Sequence, residues 1–423
     1  MGPRFKALSA RFGLLMLTLP LSGCGSIPWF GGEKDPTPPT ELTEITQQVG
    51  VTRLWSDRPT RGSDERRLYL VPALAAGKLY LADARGRVLA LDAGSGREIW
   101  RRETKYAFSG GPDVSGEALV LGTSQGDLVA LSPQDGQELW RASLGSEVLS
   151  IPRLTDDGKV IVHTLNDSIY AFASGTGKEL WRINYPAPVL TLRGSSTPLI
   201  LPDATIVGLS GGKLVKIDTQ EGIPLWETVV TRPHGRSELA RIADLDADPI
   251  LIGNTLYVGT YNGDLAAVDA TTGDVLWRRE LSAHAGLAAD GSGLYVADSS
   301  DQVWGAEIAD GGGRWKQEAL RYRQLTAPAL IGSYVVAGDF DGFLHLLSKG
   351  DGRIVGRTRV TKKAGITARP LVQGNRLYVY AEDGTIAALT LGAPAASKSL
   401  LGFKRAGQPA TASPEATKAE PPR

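Results

Sequence analysis

A unit of about forty residues recurs along this chain, and no other feature limits its fold as tightly. Five copies are plain: KLYLADARGRVLALDAGSGREIWR (78–101), EALVLGTSQGDLVALSPQDGQELWR (117–141), KVIVHTLNDSIYAFASGTGKELWR (159–182), TIVGLSGGKLVKIDTQEGIPLWE (205–227) and TLYVGTYNGDLAAVDATTGDVLWR (255–278). Two degenerate copies run over 293–316 and 333–357. Trp100, Trp140, Trp181, Trp226, Trp277 and Trp315 close the copies at intervals of 40, 41, 45, 51 and 38 residues, and Gly356 takes that place in the seventh. Four residues before each stands a glycine: Gly96, Gly136, Gly177, Gly222, Gly273, Gly311 and Gly352. Fourteen before stands Gly86, Gly126, Asp167, Gly212, Gly263, Asp301 or Gly342, residue types that tolerate the positive φ of a tight turn.

Between these turns apolar and polar residues alternate, as in LYLAD and VLALD, which is the period of a strand. Each copy reads as strand, tight turn, strand, glycine turn and a strand carrying the tryptophan. A short run before it, IPRL at 151–154 or APALI at 327–331, supplies a fourth strand. Four-stranded units of this length predict an all-β chain folded as a β-propeller. The eighth copy, NRLYVYAEDGTIAALTL (375–391), stops before its tryptophan strand, while VTRLW (51–55) stands alone at the other end with Trp55. Joined, they make eight four-stranded antiparallel blades over residues 50–391, a ring closed by the N-terminal strand with no large unpaired edge. The blade tryptophans, Trp55 included, read as packing groups against the neighbouring blade's glycine turn rather than as ligand-stacking platforms.

The ends have a different character. Residues 1–11 are basic and 12–21 (FGLLMLTLPL) are apolar, about half the ~20 residues that cross a bilayer, which is the pattern of a secretory signal over 1–23. Leu21-Ser22-Gly23-Cys24 resembles a bacterial lipobox, in which Cys24 becomes the lipid-bearing first residue. Gly25, where an aspartate commonly retains such proteins in the inner membrane, favours the outer membrane, with the chain facing the periplasm. Residues 24–49 then read as the lipidated cysteine and a flexible tether, and 392–423, rich in Ala, Pro and Lys, as a disordered tail.

Composition excludes several functions. The chain carries 46 basic and 46 acidic residues; Arg4, Lys6 and Arg11 lie in the signal, so the remainder is slightly acidic and unsuited to nucleic acid. Cys24 is the single cysteine, which excludes an internal disulfide or a cysteine-rich metal site. The four histidines, His163, His234, His284 and His345, are too dispersed to form a local metal-binding pair and read as unrelated surface or half-buried rings. No metal, cofactor or catalytic residue is expected.

The pattern A-x-D-x-x-[ST]-G-x-x-x-W, complete at Ala90–Trp100 and Ala267–Trp277, resembles the tryptophan-docking motif of pyrroloquinoline quinone (PQQ)-like propeller repeats. Two classes share it: quinoprotein dehydrogenases, and non-catalytic lipoproteins of the outer-membrane β-barrel assembly (BAM) machinery. The dehydrogenases hold PQQ with an adjacent-cysteine disulfide, which this chain lacks, and need long insertions that eight consecutive repeats leave no room for. The resemblance to the BAM lipoproteins runs from Cys24 to residue 391. It implies a non-enzymatic scaffold that binds the periplasmic POTRA domains of BamA, alongside the other BAM lipoproteins, and assists insertion of β-barrel proteins. A peptide-binding propeller outside that machinery stands as a third class.

By the same resemblance the partner contacts fall in two segments outside the repeat. They are Leu190, Leu192 and Arg193 between blades three and four, and Asp244 and Asp246 between blades four and five. The long 45- and 51-residue intervals place both segments in extended connections that emerge on one face, where binding residues concentrate. Two leucines and a forked guanidinium suit an anchor. The alternatives are that the leucines tuck under their own loop and that the aspartates serve turn or cap chemistry. The charged run Arg58–Arg67 in another long connection reads as a solvated loop. The remaining surface could orient the partner or receive unfolded barrel strands by β-augmentation, a step for which the sequence names no residue.

Overall fold

The computed structural model describes residues 37–64, 66–232, 237, 242–283 and 285–393. The signal, Cys24, the first part of the expected tether and nearly all of the tail lie outside them. The chain divides after Pro38, and the unit from Pro39 onward carries every strand described. All regular elements among the described residues are strands, arranged in eight sheets.

Blade one shows the plan: Ala73–Ala75, Lys78–Ala82, Arg87–Asp92 and Glu98–Glu103, antiparallel and hydrogen-bonded in that order. Its two middle strands are buried on both faces while the outermost is mostly exposed. This inner-to-outer gradient arises because each blade packs one face on its predecessor and one on its successor, which leaves the outermost strand at the rim to meet water. The core is accordingly inter-blade, with Leu79, Leu89 and Leu91 of blade one in one cluster with Tyr378, Ile386 and Ala388 of blade eight. Blade two gains a fifth strand, Tyr69–Leu70, which pairs parallel to Phe108–Val114. Blade eight closes as expected: Gly50–Asp57 pairs antiparallel with Ile386–Gly392, Trp55 opposite Ala388.

The tryptophan–glycine pairing is an inter-blade lock. Each indole N–H donates to a backbone carbonyl of the next blade, from Trp55 to Ala93 through Trp315 to Lys349, at 2.6–3.3 Å. The ring lies on the glycine four residues before that blade's own tryptophan position. Gly177 is typical: φ is +68°, and a Cβ there would sit 2.6 Å from Trp140. Glycine is required twice over, by the left-handed backbone and by the indole's approach.

Blade seven breaks the pattern, and the N-terminal segment compensates. Gly356 replaces the tryptophan, and Val49, only 5% exposed, packs over it. Residues 40–49 run along this blade as a strap. Gln48 and Val49 donate backbone N–H to the Val355 carbonyl at 2.8 and 3.2 Å, and the Gln47 amide pairs with both the N–H and C=O of Arg357. Arg357 and the buried Arg323 donate to the carbonyls of Thr43 (2.8 Å) and Thr40 (3.0 Å). The tether expectation is therefore corrected at its end: the segment reaching residue 49 is docked from Thr40 onward. The solvated-loop reading of Arg58–Arg67 is corrected too. Thr60 and Ser63 are buried, Ser63 N–H bonds Glu382, Arg66 donates to the Ala84 carbonyl and the loop lies across blades eight and one.

Candidate functional site

In each of several blades the end of the outermost strand bonds back to that blade's own second turn: Leu144 to Gly126, Tyr185 to Asp167, Val230 to Gly212, Val360 to Gly342. Among the described residues, the blade-to-blade connections and the second turns of these blades thus share one face. On it the structure brings the two expected segments together.

The connection Tyr185–Pro198 begins with Pro186 and Pro188, whose fixed φ stiffens it, and carries an apolar tip. Val189 is fully exposed and Leu190 50% exposed; Leu192 is half-buried. The tucked-under alternative holds in part for Leu192 and not for Leu190. The Leu192 N–H donates to Asp244 Oδ2 at 2.6 Å, and the Gly211 N–H to Asp244 Oδ1 at 2.9 Å. Asp244 is 1% exposed. Burial, with the charge of Asp167 adding to it, pushes its pKa up against the two N–H bonds that favour its ionised form. The expectation that Asp244 itself faces a partner is corrected: its carboxylate is spent on two backbone donors and fixes the Leu192 loop.

Asp246 lies against Gly194, where any side chain would strike its carboxylate. Burial first, then the charges of Asp244 and Asp167, raise its pKa to about 7. Arg193 projects outward, its guanidinium forked onto both Glu147 oxygens (2.6 and 3.2 Å) and donating to the Arg67 carbonyl (2.6 Å). One arginine therefore ties three connections together and remains 45% exposed.

Nearer the axis, Tyr69 donates to Asp248 Oδ2 at 2.7 Å and Thr197 N–H to Asp248 Oδ1 at 2.8 Å. Tyr69 comes from the extra strand beside blade two and Asp248 from the connection that leads into blade five, so this pair links segments from non-adjacent blades. Burial and the Asp248 charge hold the phenol well above its ordinary pKa, so it remains a donor. Sequence reasoning missed Val189, Glu147, Tyr69 and Asp248. Only Val189, beside the leucines and directly after Pro186 and Pro188, carried a legible signal. His163 and His345 are fully buried on Asp167 and Asp339 rather than superficial.

The face therefore offers a stiff apolar tip, a half-exposed guanidinium and, behind them, the carboxylates of Asp244, Asp246 and Asp248. Fold and repeat define the chain as an eight-bladed, tryptophan-docked propeller of the PQQ-like repeat class. Residues 52–317 match the family model described as outer membrane protein assembly factor BamB. The chain is 39% identical over 378 residues to the protein of that name from Pseudomonas aeruginosa, covering 89% of this chain and 98% of the relative. It is 32% identical over 388 residues to that of Escherichia coli (89% and 97%). The crystal structure of BamB from Moraxella catarrhalis superposes with a TM-score of 0.73 at 28% identity, covering 81% of this chain and all of that one. The quinohemoprotein alcohol dehydrogenase of Comamonas testosteroni shares the fold alone, at 14% identity, TM-score 0.65 and coverage of 80% and 76%. The chain belongs to the BamB family of outer membrane protein assembly factors, and not to the quinoprotein enzymes.

Proposed function

We propose that the chain is a scaffold that binds the periplasmic POTRA domains of BamA through the face carrying Val189, Leu190, Leu192 and Arg193. Asp244 acts here as a positioning residue, holding the Leu192 N–H so that the tip keeps its shape, while the half-buried Asp246 beside Gly194 joins the contact surface. A lipid on Cys24, following a cleaved signal over 1–23, confines the propeller to the periplasmic side of the outer membrane, beside the other BAM lipoproteins. The supporting observation is the exposed Val189–Leu190 tip, apolar on a rigid base and next to a guanidinium. Its loop is already ordered by prolines and by Asp244, so little conformational entropy is lost on docking. Burying one such side chain contributes about 1.5–3 kcal/mol.

The test is capture of purified POTRA domains by residues 25–423, beside a Leu192→Asp, Arg193→Glu variant of matching circular dichroism. Capture by the parent and not by the variant supports the reading. Capture by both moves the site elsewhere, and capture by neither removes the partner.

A further inference from the structure

One arc of the face that carries the connections gathers positive charge. Backbone N–H groups there tie each blade's second turn to the connection before it: Phe340 to the Arg323 carbonyl, Glu382 to Gly365 and Ala84 to Gly62, at 2.9–3.1 Å. The Ser63 N–H returns to the Glu382 carbonyl at 3.0 Å. The connections into blades seven, eight and one therefore lie side by side. Residues 360–370 (VTKKAGITARP) among them contain no acid. Arg61, Arg67, Lys362 and Lys363 are exposed and make no ion pair among the described residues, and the exposed Arg66 guanidinium donates only to the Ala84 carbonyl.

Along the arc, from blade seven's second turn to that of blade one, most of the acids are already taken. Asp83, 1% exposed, accepts the backbone N–H groups of Arg61, Arg85 and Arg87. Asp64 pairs with Arg85, Asp383 with Arg58 and Thr361, Asp341 with Arg323, and Asp339 with Arg323 and His345. Glu382 is half-buried, and Glu65 lies outside the described residues. A chain that is slightly acidic after its signal thus shows a positive arc. Among the described residues of these turns and connections no large apolar side chain is exposed, so the arc lacks the apolar centre of a protein interface. The N-terminal leader starts at its edge: Thr40 donates its N–H to the Arg321 carbonyl and accepts from Arg323, both at 3.0 Å. Cys24 is 16 positions upstream, at most about 55 Å of extended chain.

We infer that this arc is a docking surface for anionic phospholipid headgroups, whose phosphates stand opposite Arg61, Arg66, Arg67, Lys362 and Lys363. Clustered cations need no apolar anchor to hold a phosphate surface, and their attraction acts within about a Debye length of it. The leader supplies that nearness, and for this alone the inference rests on the lipidated-scaffold reading. Lipid and arc together hold the propeller at the membrane in a set orientation. The arc belongs to blades seven, eight and one, and the Val189–Leu190 tip to the connection between blades three and four, so the two contacts use different residues.

The test sediments vesicles with residues 24–423 carrying Cys24→Ala, a chain that takes no acyl group and keeps the whole unit from Pro39 onward. The vesicles are phosphatidylcholine alone, or phosphatidylcholine with about 30 mol% phosphatidylglycerol, at about 0.05 M salt. One variant adds Arg61→Glu, Lys362→Glu and Lys363→Glu. A second makes the same change of charge on exposed residues of the opposite face, Arg97→Glu, Lys178→Glu and Arg376→Glu. Circular dichroism of both should match the parent. The expected result is at least about ten-fold more parent on the anionic vesicles than on the neutral ones. That excess is lost in the first variant, kept in the second and abolished at about 0.5 M salt. Equal sedimentation of the parent with both vesicles overturns the inference, and so does equal loss in the two variants. No outcome depends on the POTRA tip or on the acyl group, so the two readings fail separately.

Discussion

Replacing Gly177 by alanine separates the two demands the inter-blade lock makes on its glycine. At φ +68° a Cβ costs about 1–2 kcal/mol in backbone strain alone. The same Cβ would stand 2.6 Å from Trp140, so the indole must move off its 2.6 Å bond to the Ser174 carbonyl. Losing that bond costs about 0.5–1.5 kcal/mol, and packing lost around a ring only 9% exposed adds to it. The expected total is about 2–4 kcal/mol. Gly145 supplies the control, with φ +75° and nothing within 4 Å of where a Cβ would stand, so Gly145→Ala should cost only the strain of about 1–2 kcal/mol. Guanidinium unfolding followed by far-ultraviolet circular dichroism measures both. Equal losses in the two variants would refute the claim that the tryptophan's seat, rather than the turn, makes the glycine necessary.

Asp244→Ala should cost about 2–4 kcal/mol, because two interior N–H groups lose a charged acceptor, and hydrogen exchange at Leu192 should accelerate; unchanged exchange would contradict the positioning role. Asp246, with its folded pKa raised to about 7 from 3.8, keeps a proton that the unfolded chain releases. Its stabilising share is complete below about pH 4 and is lost as pH rises through 7, so the parent should weaken between about pH 4 and 7 relative to Asp246→Asn. Parallel urea midpoints for the two proteins would argue against that. Gly356→Trp should drive off the strap, since even a Cβ there lies 3.3 Å from the Val49 carbonyl. Glutamate-specific proteolysis after Glu41 or Glu44 should then speed up, and unchanged cleavage would show that the strap does not depend on that gap.

The propeller was legible because one physical unit is written eight times. The positive-φ glycines, the tryptophans and the period-two strands each report a local necessity, and the orphan VTRLW finds its partner by elimination. The turn of blade five differs in detail, for Asn262 and not Gly263 takes the positive φ. What stayed hidden is non-repetitive. Residues 40–49 show no strand period and hold on through backbone groups, one glutamine amide and the isolated apolar side chains of Leu42 and Val49, which leave little trace in composition. The absence of tryptophan at Gly356 was the one clue that something else must fill that seat. Asp244 illustrates a second limit: an aspartate that caps a loop and one that meets a partner look alike until burial is known.

The most direct measurement is isothermal titration of BamA POTRA domains into residues 25–423 and into a Val189→Asp, Leu190→Asp variant. Both substitutions fall on the exposed tip, so the fold should be intact by circular dichroism. The expected result is measurable binding by the parent, weakened at least about ten-fold in the variant. Equal affinities in two folded proteins would contradict the claim that this tip is the anchor.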